Sequence, residues 1–189
     1  MSRIVLKTIK ITLDDGSIEK AIEEVLQFKN DLANALAELA MYVTEEKGPG
    51  IAKMYLAQFP AVDTGALHDS IRGEYDSSKH SGTIFAGEGL EDGYGQGSYA
   101  VYVEYGTGII GDSNPHPEPN GYAYDVNEHG MAGWWYPSEN GTYRPKDGGG
   151  IRLAWTRGMA ARPFMYNTML ELEAEVERDG GRIIAEYIP

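Results

Sequence analysis

The feature that most constrains the fold is a long run of helical periodicity near the start of the chain. Within residues 18–46, apolar side chains recur at steps of four and three, and Lys29 takes the one place that is not apolar. Such spacing puts the apolar side chains on one face of a continuous amphipathic helix. We expect this face to pack on a sheet. We call it the helix seam, and its members are Ile18, Ile22, Val25, Leu32, Leu36, Leu39 and Val43.

Turn residues divide the rest of the chain into short elements. Gly48-Pro49-Gly50 predicts the end of the long helix, and a short helix over 51–59 follows. A last helix is predicted from Pro163 to Gly180-Gly181, with a buried stripe of Met165, Met169, Leu172 and Val176. The predicted strands cover 3–13, 67–76, 82–88, 99–105, 151–155 and 182–188, and the second and third form a hairpin.

These elements predict an α+β fold in a single domain over residues 1–189. An antiparallel or mixed β-sheet would carry the long N-terminal helix and the C-terminal helix packed on it. Residues 106–150 show no sustained period, so we interpret them as a long aromatic loop inserted in the domain.

Composition excludes several classes of protein. With 16 basic and 29 acidic residues, the formal charge is −13, which argues against a nucleic-acid-binding protein, since such proteins need a basic face. The absence of cysteine excludes disulfides and thiolate metal sites. No apolar run approaches the ~20 residues of a membrane span, and the N-terminus lacks a signal-peptide core. We therefore expect synthesis in a cytoplasm.

The segment "YAVYVEYGTG" (99–108) places Glu104 near the end of a predicted strand. As a catalytic carboxylate, Glu104 would need a second acid, for which Asp63, Asp69 and Glu74 are the candidates. Tryptophans that stack sugars would then complete a carbohydrate-active enzyme or a sugar-binding module. In the structural alternative, Glu104 hydrogen-bonds neighbouring backbone groups or an arginine.

Other catalytic patterns are absent from the sequence. The four histidines, among them His116 and His129, show no helical zinc-ligand spacing, and we interpret the loop histidines as solvated. There is no nucleophile elbow, phosphate loop or dinucleotide fingerprint. The sequence therefore predicts no catalytic residue, no cofactor and no metal site, and a protein that is not an enzyme.

The pair Trp134-Trp135 is the most unusual feature of the long loop. Adjacent side chains in an extended segment point in opposite directions, so both indoles cannot easily share one core. Tryptophan and tyrosine dominate interface hot spots. We therefore expect at least one of these tryptophans to meet another surface, as part of an arm between subunits.

Four segments in a fixed order resemble a known family. They are "VDTGALHDSI" (62–71), "YAVYVEYGTG" (99–108), "GWWY" (133–136) and "AWTRGMAARPFMYNTM" (154–169). Together they resemble the tail-component family of tailed bacteriophages, of the Hong Kong ninety-seven type. The resemblance spans about residues 20–178.

This resemblance implies an architectural role at the phage head–tail junction, as a neck or tail-completion protein in the virion. It implies a homo-oligomeric ring, for which we favour a hexamer over a dodecamer. The partners would be a neighbouring neck or connector protein and a tail terminator or tail tube protein. Double-stranded DNA would pass through the ring without specific binding.

Two sets of residues follow from this interpretation. The expected interface residues are Trp134, Trp135, Tyr136, Glu104, Tyr105 and Thr107. A bore that lets DNA pass should be acidic, because each cation presented to phosphate adds affinity by counterion release. The expected bore residues are Glu88, Glu91, Asp92, Asp14 and Asp15.

Overall fold

The structure is a computed structural model that describes residues 15–59, 65–90, 99–138, 140–145 and 150–187. The strand predicted over 3–13 lies outside the described residues. The helices are α1 (Asp15–Met41), α2 (Gly48–Ala57), α3 (Ala66–Ser70), α4 (Tyr99–Tyr105), α5 (Gly108–Ser113) and α6 (Phe164–Tyr187), with a π-helical turn (Tyr42–Lys47) and a 3₁₀ turn (Val126–Glu128). The strands are β1 (Arg72–Asp76), β2 (Ser81–Phe85), β3 (Trp134–Pro137) and β4 (Leu153–Thr156).

The α+β class predicted from the sequence is confirmed: two two-stranded sheets, β1–β2 and β3–β4, accompany the long N-terminal and C-terminal helices. The hairpin predicted around residue 79 is confirmed, although residues 66–70 form α3 and not the start of a strand. The strand predicted over 151–155 is confirmed as β4, which pairs antiparallel with β3.

The Gly48-Pro49-Gly50 sequence does not end the first helix, contrary to the prediction. Helical structure continues from α1 through the π-helical turn into α2. Gly48 has helical dihedral angles (φ −58°, ψ −50°), and its N–H donates to the carbonyl of Val43, five residues earlier. A π-helical turn changes the hydrogen-bond register and widens the helix locally. The chain thereby accommodates a proline, which has no N–H to donate.

The helix seam is not buried along its length, which corrects a second prediction. Ile22, Val25 and Leu36 are 55%, 53% and 49% exposed. The buried side chains of α1 are Ala21, Ala35 and Leu39. Spacing identifies an apolar face, but only tertiary contacts decide which part of that face is covered.

The C-terminal helix differs from the prediction in length and in its buried face. α6 continues through Gly180-Gly181 to Tyr187, so the strand predicted over 182–188 is wrong. Neither glycine has the positive φ that commonly ends a helix. Among the described side chains of α6, the buried ones are Phe164 and Thr168, each one position before a methionine of the predicted stripe, Met165 and Met169.

The segment 106–150 is more regular than a loop. Among its described residues are α5, the 3₁₀ turn and β3. β3 and β4 pair with Trp134 opposite Thr156 and Trp135 opposite Trp155. The pairing partner of β3 lies beyond the segment, so periodicity within 106–150 could not indicate it.

Contacts divide the chain into two compact units. The first contains α1, the π-helical turn, the β1–β2 hairpin and most of α6. The second contains most of α2, α3, and the residues from 85 to 167. The single-domain organisation stays a prediction.

The core of the second unit consists of Ala52, Leu56, Leu67, Ile71, Ala100, Val103 and Phe164. Within the described residues, no helix is both long and apolar enough to span a membrane.

In the first unit, the β1–β2 hairpin approaches the π-helical turn at a glycine. A Cβ atom added at Gly73 would lie 1.8 Å from the backbone oxygen of Thr44. Thr44 is itself buried, at 6% exposure. Only a residue without a side chain permits this close backbone approach.

We therefore expect Gly73→Ala to lower the free energy of unfolding by about 1–3 kcal/mol, the usual cost of overpacking a close contact. Gly50→Ala is the matched control, because Gly50 lies in α2 with no atom within 4 Å of an added Cβ. That control should raise stability by roughly 0.5–1 kcal/mol through helix propensity. Urea unfolding followed by circular dichroism measures both changes. Equal stabilities for the two variants would contradict the contact.

Candidate functional site

The candidate site is built around Glu104, which lies in a helix and not at the end of a strand. The predicted strand over 99–105 is α4 in the structure. Ala100, Val103 and Glu104 are its buried residues, a spacing of three and four that defines one helical face. Tyrosine and valine favour strands intrinsically, but burial of this face decides the local structure.

Both carboxylate oxygens of Glu104 cap the start of α6. Oε2 accepts a hydrogen bond from the N–H of Met165 at 2.9 Å, and Oε1 accepts one from the N–H of Tyr166 at 2.9 Å. The first N–H groups of a helix have no partner within the helix, and negative charge is stabilised there. A side chain distant in sequence therefore supplies the cap of α6.

His116 completes the arrangement from the other side of the carboxylate. Its Nε2 lies 3.1 Å from Oε1 of Glu104, and the two side chains are 4% and 10% exposed. The backbone N–H of Glu118 donates to Nδ1 at 2.9 Å. Nδ1 also lies 3.0 Å from the carbonyl oxygen of Glu118. A carboxylate oxygen accepts hydrogen bonds, so in the pair with Glu104 it is the N–H at Nε2 that donates to Oε1.

Aromatic rings surround this pair. The ring of Tyr105 lies 4.5 Å from that of His116 and stacks on that of Tyr122 at 4.8 Å, while Tyr166 meets His116 edge-on at 5.1 Å. Burial raises the pKa of Tyr122 to about 12, so its hydroxyl stays neutral at physiological pH. The hydroxyls of Tyr122 and Tyr124 are buried without a hydrogen-bond partner among the described residues.

The segment after α4 joins the segment before α6 by direct backbone contact. Thr107 and Met159 exchange two backbone hydrogen bonds, of 2.9 and 3.0 Å. The N–H of Arg162 donates to the carbonyl of Val103 at 2.9 Å. Two of the segments that carry the phage resemblance, 99–108 and 154–169, therefore meet in one packed structure.

Three of the residues expected at an interface lie in this packed region. Glu104 and Thr107 are 8% and 4% exposed, buried within their own chain. Tyr105 lies between the rings of His116 and Tyr122. Glu104 and Thr107 therefore make their contacts within their own chain, while the part that these three residues play in an interface stays a prediction.

The two adjacent tryptophans point in different directions. Trp134 stacks on His129, with ring centroids 5.6 Å apart. Trp135 is 46% exposed, and its ring contacts those of Trp155 at 5.3 Å and Tyr143 at 5.1 Å. We call Trp135, Tyr143 and Trp155 the aromatic patch; Tyr143 and Trp155 are 49% and 51% exposed. Tyr136 is 43% exposed.

The expected bore residues are only partly described. Glu88 is exposed, and Asp15 is the first residue of α1. Asp14, Glu91 and Asp92 lie outside the described residues, as does Asp63, a proposed acidic partner of Glu104. Asp69 and Glu74 are both exposed, unlike Glu104. Within the part of the chain that the structure describes, no group of three or more histidine, cysteine or acidic side chains could hold a metal ion.

Sequence reasoning missed two features. It treated His116 as a solvated loop residue, although His116 is among the most buried polar residues described. It also missed Tyr143 and Trp155 as neighbours of Trp135. Strand pairing brings Trp155 opposite Trp135, and an isolated bridge places Tyr143 opposite Leu153. These residues lie far apart in the sequence, so no local sequence pattern predicts that they pair.

In comparisons with known proteins, no family model, no curated protein and no solved structure matches this chain.

Proposed function

We propose that this protein is a structural virion protein of the head–tail junction of a tailed bacteriophage. It forms a homo-oligomeric ring that links the head connector to the tail tube and lets DNA pass. The observation that carries the proposal is the aromatic patch, because exposed aromatic clusters favour protein–protein contact.

The engagement of Glu104 also supports an architectural role. Its two oxygens accept hydrogen bonds from two backbone N–H groups and lie next to His116. A glycosidase acid must instead reach its substrate and work with a second carboxylate. The carbohydrate-active alternative therefore receives no support from this residue.

Two further points support the proposal. Two of the four segments that resemble the tail-component family, 99–108 and 154–169, form the contacts between α4 and the start of α6. The formal charge of −13 fits a ring whose bore must not retain DNA. In the proposal, Glu88 and the other acidic residues named for the bore would line it.

We expect the double variant Trp135→Ala/Trp155→Ala to assemble at least about tenfold more weakly than wild type, since buried interface tryptophans often contribute 2 kcal/mol or more. Native mass spectrometry over a concentration series measures the fraction of ring. Met54→Ala is the control, because Met54 is 47% exposed on α2, outside the aromatic patch.

Thermal unfolding of the same variants separates assembly from folding. Under conditions in which both are monomeric, the double variant should lose roughly 0.2–1 kcal/mol of stability, because the cross-strand contact between the two rings is removed. That loss is smaller than the expected loss in assembly. Unchanged assembly of the double variant would contradict an interface at the aromatic patch.

A further inference from the structure

The first part of α1 presents an apolar surface to solvent. Ile18, Ile22, Val25 and Leu26 are 42%, 55%, 53% and 53% exposed. We call these four residues the α1 stripe. With Ala21 they line one shallow depression whose lining is entirely aliphatic. Contiguous exposed apolar surface of this kind is typical of an interaction site.

The spacing of the α1 stripe matches helix pairing. Ile18, Ile22 and Val25 follow each other at steps of four and three, as the core positions of a coiled coil do. The next core position is Lys29, and the residue after Ile18 is Glu19; both are exposed. A charged residue at a core position specifies register and orientation.

Charge decides the orientation of such a pair. In a parallel pair, Lys29 of one copy would lie beside Lys29 of the other, and like charges would repel. In an antiparallel pair with Ile22 opposite Val25 of the second copy, Lys29 lies opposite Ile18 and next to Glu19. Opposite charges then meet at both ends of the contact, which favours this register.

We propose that the α1 stripe binds the α1 stripe of a second copy of this chain in this antiparallel register. The two copies are related by a two-fold axis, so each contributes the same surface and the assembly through this contact is a dimer. It does not depend on the proposed phage function. It uses α1 alone, and the aromatic patch has no part in it.

Charge reversal tests the proposal. Lys29→Glu should weaken dimerisation about tenfold or more, because it places two acidic groups together. Glu19→Lys/Lys29→Glu should restore most of the wild-type affinity, because the ion pairs re-form with exchanged signs. Sedimentation equilibrium measures the dissociation constants, and circular dichroism checks that each variant keeps its helix content.

Disulfide trapping tests whether the two α1 helices pair antiparallel. Because the chain has no native cysteine, only the introduced cysteines can form a cross-link. A mixture of Ile22→Cys and Val25→Cys variants should cross-link readily. Ile18→Cys alone should not, because antiparallel pairing separates the two copies of position 18 by about 16 Å along the helix. The Trp135→Ala/Trp155→Ala variant should dimerise through α1 as wild type does.

Three results would overturn the proposal. The first is efficient cross-linking of Ile18→Cys with itself, which indicates parallel pairing. The second is a charge-swapped double variant no tighter than Lys29→Glu. The third is a wild-type chain that stays monomeric at about millimolar concentration, where even weak pairing would be detected.

Discussion

Glu104→Ala should lower the free energy of unfolding by about 3–5 kcal/mol, the range observed when one partner of a buried pair is removed. The substitution leaves the N–H groups of Met165 and Tyr166 without their acceptor and leaves His116 without its carboxylate partner. Buried donors without a partner are costly because they have lost their hydration as well. Chemical unfolding of the purified chain measures the change.

Two controls isolate the cap. Glu104→Gln keeps the size of the side chain and one acceptor oxygen, so we expect a smaller loss than for alanine. Glu173→Ala removes an exposed carboxylate from α6 itself and should change stability by no more than about 0.5 kcal/mol. If the free energy of unfolding of Glu104→Ala were within about 0.5 kcal/mol of the wild-type value, the carboxylate would not cap α6.

A double-mutant cycle measures the interaction energy between His116 and Glu104. His116→Gln alone and together with Glu104→Gln should give a coupling energy of about 0.5–3 kcal/mol, since the two side chains contact each other. A coupling near zero would mean that the 3.1 Å contact between Nε2 and Oε1 contributes nothing to stability.

Gly158→Ala should destabilise the second unit by about 2–6 kcal/mol. Two costs add here: about 1–3 kcal/mol for a side chain at positive φ and about 1–3 kcal/mol for overpacking. Gly158 has φ +97°, and an added Cβ would lie 1.8 Å from the backbone oxygen of Thr107. That oxygen accepts the hydrogen bond of Met159, so the neighbour cannot move without loss of the bridge.

Gly121→Ala separates the two costs. Gly121 has a similar φ of +79°, but no atom lies within 4 Å of its added Cβ. It should therefore show only the cost of the backbone conformation. Hydrogen exchange at the amides of Thr107 and Met159 gives a local measurement, which should rise in Gly158→Ala and stay unchanged in Gly121→Ala. Similar unfolding energies for the two variants would contradict the close approach at Gly158.

Much of the fold was predictable because its signals are local in sequence. The steps of four and three in 18–46 predicted the long helix, and Pro163 marked the start of the last one within one residue. The turn around residue 79 predicted the β1–β2 hairpin. The alternation of side chains in an extended segment predicted that Trp134 and Trp135 would not share one environment.

The tertiary structure alone decided the rest, because the relevant contacts join residues far apart in the chain. Residues 99–105 have the composition of a strand, yet burial of Ala100, Val103 and Glu104 on one face makes them a helix. No local pattern connects Glu104 to the N–H groups of Met165 and Tyr166. The sequence by itself determined where helices and turns are possible, since those preferences act over a few residues. Packing determined which apolar faces are covered and which carboxylate is buried, since desolvation depends on every neighbour in space.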